Sequence, residues 1–368
     1  MSKFIKPNFK KSNLNISATL AEFLGAPNNN ATLPQLKKEL AKGYKNIVFI
    51  CFDGLGIYPI EKNLQKDSIL RKNIKQVLTS TFPSTTTNAT TSLLTNKYPL
   101  EHGWFGWSMN FEKMNRNIDI FKNTDSWTGE AVDVEDSPLE EFNHYFDEAQ
   151  TDYAINTIMP GYVSVKNENN NVFTTNDEFF EYIQNICSRN GKQFIYAYNP
   201  EPDHTMHDFG VSSDEAKAVI TEFANWIEKL KNSTKDTLFI ITADHGQIDI
   251  DGYVEIYNDK EIMDMLEIYP YMDARAVCFK VKPEFEEYFK KVFTYRYKKD
   301  FKLYKTKKLL KKGYFGNRGN KGFMLGTYIA IGTYTHKQMV LTPNGHRFKG
   351  HHTSLTEEIQ VPLIMIAN

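Results

Sequence analysis

The sequence predicts an α/β fold with a mostly parallel central sheet, helices on both faces of that sheet and a small cap. Three apolar runs rich in β-branched residues each lead into an aspartate: residues 46–52 into Asp53, residues 193–199 into Asp203, and residues 237–243 into Asp244. Such runs are typical of strands buried on both faces, as in a parallel sheet. Residues 212–232, between the last two runs, carry apolar side chains at helical spacing, which completes a βαβ unit.

The remaining elements follow in chain order. Residues 1–43 are polar and contain two short helical patterns before the first buried run. The helix over residues 212–232 is predicted to begin with a capping box formed by Ser212 and Glu215. Residues 108–175 include an acidic segment and an asparagine-rich turn, and residues 285–325 are strongly basic. We expect these two stretches to be insertions that form the cap.

Composition places the chain among ordinary folded proteins. Of its 368 residues, 41% are hydrophobic and 24% are charged, which excludes a disordered or fibrous protein. The length allows one large domain with insertions or two domains, and we expect a single domain over residues 1–368. The net charge of −1 indicates no particular class of partner.

The three cysteines are far apart and form no CxxC pair: Cys51, Cys187 and Cys278. This spacing indicates neither a disulfide framework nor a thiolate zinc site. The N-terminal segment lacks the apolar core of a signal peptide, and no apolar run approaches the ~18 residues that a membrane span needs. We therefore expect a cytoplasmic protein with no membrane partner.

Carboxylates and imidazoles recur where the buried runs end. Asp53 follows the first run, Asp203 and His207 follow the second, and Asp244 and His245 follow the third. Each of these alone fits an aspartate that caps the next helix, with a solvated histidine beside it. Together they indicate a metal site, because ligands bind outside the carboxyl ends of parallel strands. Aspartate and histidine ligands without cysteine favour Zn²⁺, Mn²⁺ or Fe over Ca²⁺ or Mg²⁺.

A hydroxyl-rich segment offers a nucleophile. Residues 82–95, FPSTTTNATTSLLT, place serine and threonine hydroxyls at the start of a predicted helix. The first-turn N–H groups and the helix dipole favour a phosphoryl group at this position. A neighbouring divalent cation would activate a hydroxyl that is otherwise a poor nucleophile. The alternative is that this threonine-rich segment only begins a helix and has no catalytic role.

Five motifs give the chain a family resemblance: CFDGLG (51–56), FPSTTTNATTSLLTNKYPLEHG (82–103), EPDHTMH (201–207), TADHG (242–246) and GHHTSLTEEIQVPLI (350–364). In this order they resemble the alkaline phosphatase superfamily, and within it the type I phosphodiesterase/nucleotide pyrophosphatase family. The resemblance implies an alkaline-phosphatase-like fold and a metal-dependent phosphoric ester hydrolase that acts on a small phosphoester.

The resemblance also implies two divalent metal ions, most simply zinc, with manganese or iron as alternatives. Asp203, His207 and His352 would hold one ion, with His351 and His346 as alternatives to His352. The set that would hold the second ion consists of Asp53, Asp244, His245 and the nucleophile oxygen. The nucleophilic threonine of the family falls on Thr86, and Thr85 and Thr87 are the neighbouring alternatives.

One departure from the family pattern concerns the substrate. Nucleotide pyrophosphatases of this family have an asparagine about four residues after the His-Gly pair, where this chain has WFGW (104–107). The predicted function is a two-metal phosphodiesterase or nucleotide pyrophosphatase-like hydrolase with a phosphothreonine intermediate. The alternatives are a phosphonate or phosphate-monoester hydrolase on the same core and a non-catalytic protein that binds metal or polyanions.

Several residues remain outside the metal site. Trp107 and His204 are candidates for substrate contacts, and the other histidines are expected to be structural or on the surface: His102, His144 and His336. The run from Lys290 to Lys321 holds thirteen lysines and arginines against the single acidic residue Asp300. Interleaved aromatic residues would suit a polyanion, but a solvated face is the more common origin of such a run. Nucleic acid is therefore not the expected partner, and the oligomeric state is left open.

Overall fold

The structure is a computed structural model that describes residues 3–133, 142–163 and 167–368. Within these residues the strands are, in chain order, β1 (Asn46–Phe52), β2 (Ile74–Thr79), β3 (Ser108–Phe111), β4 (Arg116–Asp119), β5 (Thr124–Asp125), β6 (Tyr153–Pro160), β7 (Asn170–Phe173), β8 (Lys192–Asn199), β9 (Thr237–Thr242), β10 (Ile248–Asp249), β11 (Gly252–Glu255), β12 (Tyr271–Asp273), β13 (Ala276–Phe279), β14 (Phe301–Lys305), β15 (Tyr328–Gly332), β16 (Lys337–Val340), β17 (Gly350–His351) and β18 (Gln360–Ala367).

The α-helices of the same described ranges are α1 (Leu14–Phe23), α2 (Pro34–Leu40), α3 (Ile57–Asn63), α4 (Ile69–Lys72), α5 (Thr86–Thr95), α6 (Pro99–His102), α7 (Asn176–Ser188), α8 (Asp203–Phe209), α9 (Asp214–Ser233), α10 (Lys260–Asp264), α11 (Glu286–Tyr297), α12 (Thr306–Lys311) and α13 (Thr356–Ile359). None of them is long and apolar enough to span a membrane.

The central sheet has seven strands in the order β2-β18-β9-β1-β8-β6-β7. β1 runs parallel to both β8 and β9, and β6 runs parallel to both β7 and β8. Only β18 runs against its neighbours β2 and β9. Every residue of β1 and β9 is buried, as their apolar sequences predict. The predicted mostly parallel α/β fold is confirmed.

Two groups of helices contribute to the core around this sheet. α3, α4 and α7 each contact α9, and α1 contacts both α2 and α5. Phe223 of α9 stacks on Phe52 of β1 with ring centroids 4.5 Å apart, which fixes the βαβ helix against the strand before Asp53. The predicted cap of this helix was wrong by one residue. Ser213 accepts the N–H of Ala216, because the Ser212 hydroxyl instead donates to Asp249.

A second seven-stranded sheet has the order β14-β15-β13-β12-β3-β4-β5. Its described pairings are antiparallel. Phe289 and Phe293 of α11 pack on Phe279 of β13. A buried ion pair joins this sheet to α13, the helix before β18, since Arg275 Nε lies 2.5 Å from Glu358 Oε1.

The two stretches predicted as insertions supply strands to both sheets. Residues 108–175 divide between the two sheets, because β3 to β5 belong to the second sheet whereas β6 and β7 belong to the central one. Residues 285–325 supply α11, β14 and α12, but the middle of the second sheet comes from β12, β13 and β15, outside the predicted insertions. Short strands carry little local pattern, and their partners are distant in sequence. Residues 134–141 and 164–166 of the predicted insertion lie outside the described residues. The single-domain interpretation stays a prediction.

Candidate active site

The strand-end aspartates meet at one edge of the central sheet. β8, β1 and β9 are adjacent and parallel, so their carboxyl ends lie side by side. Asp53 directly follows β1, Asp203 begins α8 just after β8, and Asp244 lies just after β9. All three are buried, with exposed fractions of 2%, 8% and 0%. Parallel pairing therefore brings together three carboxylates that are up to 191 positions apart, from 53 to 244.

The first group of side chains surrounds His245. Its Nε2 atom lies 3.2 Å from Asp53 Oδ1 and 3.4 Å from Asp244 Oδ2. The Thr86 hydroxyl lies 3.1 Å from the same nitrogen and 3.4 Å from Asp53 Oδ1. Asp53, Asp244 and His245 place one ligand atom each within 4.8 Å of one another, as a shared cation requires. The structure thus brings together four of the predicted site residues.

The second group lies beside the first. His207 Nε2 is 3.0 Å from Asp203 Oδ2, and His352 Nε2 is 3.9 Å from Asp203 Oδ1. His352 stacks on His245 with ring centroids 3.7 Å apart, so the two groups are in direct contact. Asp203, His245 and His352 also meet the 4.8 Å criterion, as do His207, His351 and His352. All seven predicted ligand and nucleophile residues therefore lie in one cluster.

The three histidines considered for the C-terminal ligand position, His346, His351 and His352, differ in their distance from Asp203. His346 is exposed, stacks on Phe348 and belongs to none of the ligand groups. His351 is buried beside His207 and His352, but its Nε2 atom lies 3.6 Å from Asp273 Oδ1. His352 is the residue whose Nε2 atom lies near Asp203. The geometry therefore favours His352 as the ligand and puts His351 at the wall of the site.

Backbone carbonyl groups orient the three imidazoles. Each Nδ1 atom lies within hydrogen-bond distance of a carbonyl oxygen: His207 of Gly350 at 2.7 Å, His245 of Gly246 at 3.0 Å, and His352 of Ser84 at 3.0 Å. Donation from Nδ1–H leaves Nε2 facing the carboxylates, where it can bind a cation. This is the tautomer that a metal-binding histidine needs.

An excess of buried carboxylates is the main electrostatic feature of the cluster. Within the described residues, none of the three carboxylates pairs with a lysine or arginine. Burial and the neighbouring Asp53 raise the pKa of Asp244 well above its usual value. Burial lowers the pKa of His245, but the carboxylates of Asp244 and Asp53 outweigh this and raise it to about 10. Asp203 Oδ1 and Asp244 Oδ2 are buried without a hydrogen-bond partner. Divalent cations would satisfy these oxygens.

Hydrogen bonds that the sequence analysis missed fix the carboxylates. The Tyr198 hydroxyl donates to Asp53 Oδ2 at 2.5 Å, and the N–H groups of Gly54 and His245 donate to Asp244 Oδ1. Tyr198 is the next-to-last residue of the apolar run 193–199, and its hydroxyl near the carboxyl end of that run was the only sequence feature that pointed to this contact. Gly54 has φ +71°, and a Cβ there would lie 3.0 Å from Asp203 Oδ1, so only glycine fits.

The predicted nucleophile lies at the start of α5. Thr85 is the N-cap residue, yet no side chain caps the helix, because the Thr85 hydroxyl donates to Asp273 Oδ2 instead. The first-turn N–H groups are therefore free to bind an anion beside the Thr86 hydroxyl. The Thr87 hydroxyl is buried and has no hydrogen-bond partner in the described structure. Of the three threonines, Thr86 is the one whose hydroxyl contacts the Asp/His cluster.

The two predicted substrate contacts lie outside the cluster. The His204 side chain is 74% exposed and lies 3.8 Å from Asp208. Trp107 packs edge-on against Phe121, and Lys122 lies over its ring. Their substrate roles stay predictions.

Tyr162 is an additional residue near the cluster that the sequence analysis did not identify. It follows β6, and its side chain is 71% exposed. Desolvation and the charges of Asp53 and Asp203 raise the pKa of its hydroxyl. The charges of Asp53 and Asp203 thus reach this exposed residue, which follows the central strand β6.

The structural histidines fit their predicted roles. His102 is buried, accepts the N–H of Trp104 at Nδ1 and contacts the Ser92 hydroxyl through Nε2. His144 stacks on Phe146, and His336 lies 3.8 Å from Asp251.

Comparison with known proteins identifies the family. The family model described as type I phosphodiesterase/nucleotide pyrophosphatase matches residues 47–324, three quarters of the chain. The chain belongs to this family. It is an enzyme, a phosphoric ester hydrolase of the phosphodiesterase type. The resemblance inferred from the five motifs is thereby confirmed. No curated protein matches the sequence.

Solved structures show the same fold. Murine ectonucleotide pyrophosphatase/phosphodiesterase 5 superposes with a TM-score of 0.63 at 16% identity, over 88% of each chain. An inactive variant of it in complex with AMP gives a TM-score of 0.61 at 16% identity, over 87% of each chain. Phosphonoacetate hydrolase from Sinorhizobium meliloti 1021, in complex with phosphonoformate, superposes with a TM-score of 0.59 at 11% identity, over 86% of this chain and 89% of that chain. The predicted alkaline-phosphatase-like fold is confirmed.

Proposed function

We propose that this family member is a two-metal phosphodiesterase that acts on a small phosphoester through a phosphothreonine at Thr86. The observation that carries the proposal is the position of the Thr86 hydroxyl. It lies at an uncapped helix start, 3.1 Å from His245 Nε2, beside a buried carboxylate cluster with two unpartnered oxygens.

The side chains of the cluster fit two divalent cations. Asp53, Asp244 and His245 would hold one ion together with the Thr86 oxygen, and Asp203, His207 and His352 would hold the other. Buried aspartate and imidazole ligands without cysteine suit Zn²⁺, with Mn²⁺ or Fe as alternatives. When bound, the ions lower the pKa of the attacking hydroxyl and of water and neutralise charge on the phosphoryl oxygens.

The reaction would proceed in two displacements. Thr86 Oγ1 loses its proton to solvent and attacks phosphorus, and a new Oγ1–P bond forms as the bond from phosphorus to the leaving alkoxide breaks. Water then attacks phosphorus and loses a proton, the Oγ1–P bond breaks, and the departing threonine oxygen takes up a proton, which regenerates the hydroxyl and releases a phosphomonoester. The first-turn N–H groups of α5 would donate to the non-bridging oxygens in both steps.

The surrounding residues keep this geometry fixed before the substrate arrives. Tyr198 and the N–H group of Gly54 hold the carboxylates of Asp53 and Asp244, and the carbonyl oxygen of Gly246 holds the His245 ring. Such preorganisation lowers the barrier because little rearrangement accompanies the reaction.

Phosphonate hydrolysis is the second candidate, because phosphonoacetate hydrolase shares the fold over 86% of this chain. The two activities differ in the bond that breaks, P–O in an ester and P–C in a phosphonate. Initial rates on bis-p-nitrophenyl phosphate, p-nitrophenyl phosphate and phosphonoacetate, each with Zn²⁺ or Mn²⁺, would separate them. We expect the diester to have the highest kcat/KM.

The test of the nucleophile is Thr86→Ala, with metal content measured in the same preparation. We expect turnover to be abolished while the variant retains its bound metal, because the aspartate and histidine ligands are unchanged. Thr95→Ala is the matched control, since Thr95 is a buried threonine at the other end of α5 whose hydroxyl donates to the Thr91 carbonyl. Full activity in Thr86→Ala would contradict the proposal.

A further inference from the structure

Asp273 connects two loops of the candidate site from the second sheet. It is the last residue of β12, and only 3% of its surface is exposed. Its Oδ2 atom accepts the Thr85 hydroxyl at 2.9 Å, and its Oδ1 atom lies 3.1 Å from the Thr353 hydroxyl, which also contacts the carbonyl oxygen of His352. One buried carboxylate thus holds two segments that are distant in sequence.

Both partners stand next to residues of the proposed machinery. Thr85 immediately precedes Thr86, and Thr353 immediately follows His352. Ser84, one residue further back, accepts the Nδ1–H of His352 and donates its own N–H to Thr353. The contacts of Asp273 therefore connect the segment that carries the proposed nucleophile to the segment that carries one proposed metal ligand.

Within the described residues, no lysine or arginine side chain pairs with Asp273. The adjacent Arg275 side chain pairs with Glu358, and Asp273 receives only the Arg275 backbone N–H, at 3.3 Å. His351 Nε2, at 3.6 Å, lies beyond a good hydrogen bond. A buried carboxylate without an ionic partner is costly, so its hydroxyl contacts must serve a positional purpose.

The backbone before Asp273 supports the same conclusion. Met272 has φ +92°, a region that side chains other than glycine rarely adopt. Gly106 packs against it so closely that a Cβ there would lie 2.5 Å from the Met272 carbonyl oxygen. Surrounding structure that imposes such a conformation is a feature of functional sites.

We propose that Asp273 is a positioning residue that sets the Thr86 hydroxyl and the His352 ring relative to each other. The inference rests on the proposed function, because it takes Thr86 as the nucleophile and His352 as a ligand. Asp273 directs the Thr85 hydroxyl away from the helix start, which leaves the first-turn N–H groups of α5 for the phosphoryl oxygens. It also fixes the peptide that follows His352.

The decisive experiment compares Thr85→Val with Thr85→Ser. Valine keeps the shape and removes the donor, whereas serine keeps the donor. We expect Thr85→Val to lower kcat by about 10- to 100-fold, because small displacements of a reacting group reduce rates by that order. KM for bis-p-nitrophenyl phosphate and the metal content should change less than about two-fold. Thr85→Ser should restore kcat.

The second pair tests the other contact. Thr353→Val should lower the metal content or the metal affinity through His352, measured by elemental analysis and by titration with a zinc indicator, and Thr353→Ser should restore it. Asp273→Asn removes one acceptor oxygen and should reproduce part of both effects. If Asp273→Asn does not fold, the two Val/Ser pairs decide the question.

The outcomes separate this inference from the proposed function. If Thr86→Ala abolishes turnover while Thr85→Val and Thr353→Val keep wild-type kcat and metal content, Asp273 has no positioning role and the nucleophile assignment survives. If Thr86→Ala remains active, the proposed function fails first. If serine does not rescue a defective valine variant, the contact is structural only, and the inference is overturned.

Discussion

The two seven-stranded sheets contribute differently to the site. The central sheet consists mainly of long parallel strands, and its carboxyl edge supplies Asp53, Asp203 and Asp244. The second sheet consists of short antiparallel strands from distant parts of the chain, and it supplies Asp273 and Arg275. The first sheet carries the residues that would bind and react, and the second holds the loops that connect them. Chemistry and positioning are thus separated between two regions.

The largest expected effect comes from removing a carboxylate of the central sheet. Asp244→Asn should reduce turnover by about 10³-fold or more, since it removes charge stabilisation at the reacting centre. Bound metal should fall from two ions to one per chain, measured by elemental analysis. The exposed Asp251 provides the control variant Asp251→Asn, with a side chain that is 69% exposed.

The same variant should stabilise the metal-free protein. Asp244 lies beside the carboxylate of Asp53 with one unpartnered oxygen, and its neutral amide can still accept from Gly54. Removing an uncompensated buried charge should raise the free energy of unfolding by about 1–4 kcal/mol in the presence of a chelator. A lower unfolding temperature than wild type under that condition would show that the carboxylates do not repel one another.

The next effect tests the junction between the sheets. Arg275 and Glu358 are both fully buried, so Arg275→Met leaves a carboxylate without its cation. We expect a loss of about 3–5 kcal/mol in the free energy of unfolding, measured with urea, and partial recovery in Arg275→Met/Glu358→Gln. Arg347 forms an exposed pair with Glu255, so Arg347→Met should cost only about 0–1 kcal/mol. Equal losses in the two single variants would contradict the role of burial.

A smaller effect concerns pH and the histidine behind the nucleophile helix. Burial, and to a lesser extent Lys97, lowers the pKa of His102 from 6.5 to about 3. Because the unfolded chain binds this proton at higher pH than the folded one, stability is complete above pH 6.5 and is lost as the pH falls toward 3. The slope from this residue is about 1.4 kcal/mol per pH unit. Urea unfolding at pH 7, 6, 5 and 4 should show that the free energy of unfolding declines less steeply with falling pH in His102→Asn than in wild type. An equal decline in the two proteins would show that the pKa of His102 is not lowered by folding.

The smallest effect is expected on the basic face of the second sheet. Lys291 and Lys298 line a surface groove on α11 together with the exposed Tyr295. Lys291→Glu/Lys298→Glu should leave diester turnover unchanged and stability within about 0.5 kcal/mol, because these side chains are solvated. Fluorescence anisotropy with a labelled single-stranded oligonucleotide should show no saturable binding to the wild type at physiological salt. Saturable binding that the double variant loses would instead favour a polyanion site.

Sequence reasoning found the residues of the central sheet because their signals are local. Each of Asp53, Asp203 and Asp244 follows an apolar run, and the motifs add His207, His245 and His352, the last with His351 and His346 as alternatives. It could not find Tyr198, Tyr162 or Asp273, because their relevance depends on contacts across as many as 188 positions, as between Thr85 and Asp273. It also assigned no strands to the second sheet, since those short strands carry almost no periodic pattern.

The sequence by itself determined the buried strands, the aspartates at their ends and the family to which the chain belongs. Apolar runs and motif spacing are sufficient for these, because burial and strand direction follow from local composition. Only the tertiary structure decided which of three adjacent threonines has its hydroxyl beside His245, and which of two adjacent histidines faces Asp203. Such choices depend on backbone direction at a loop, which long-range contacts such as those of Asp273 impose.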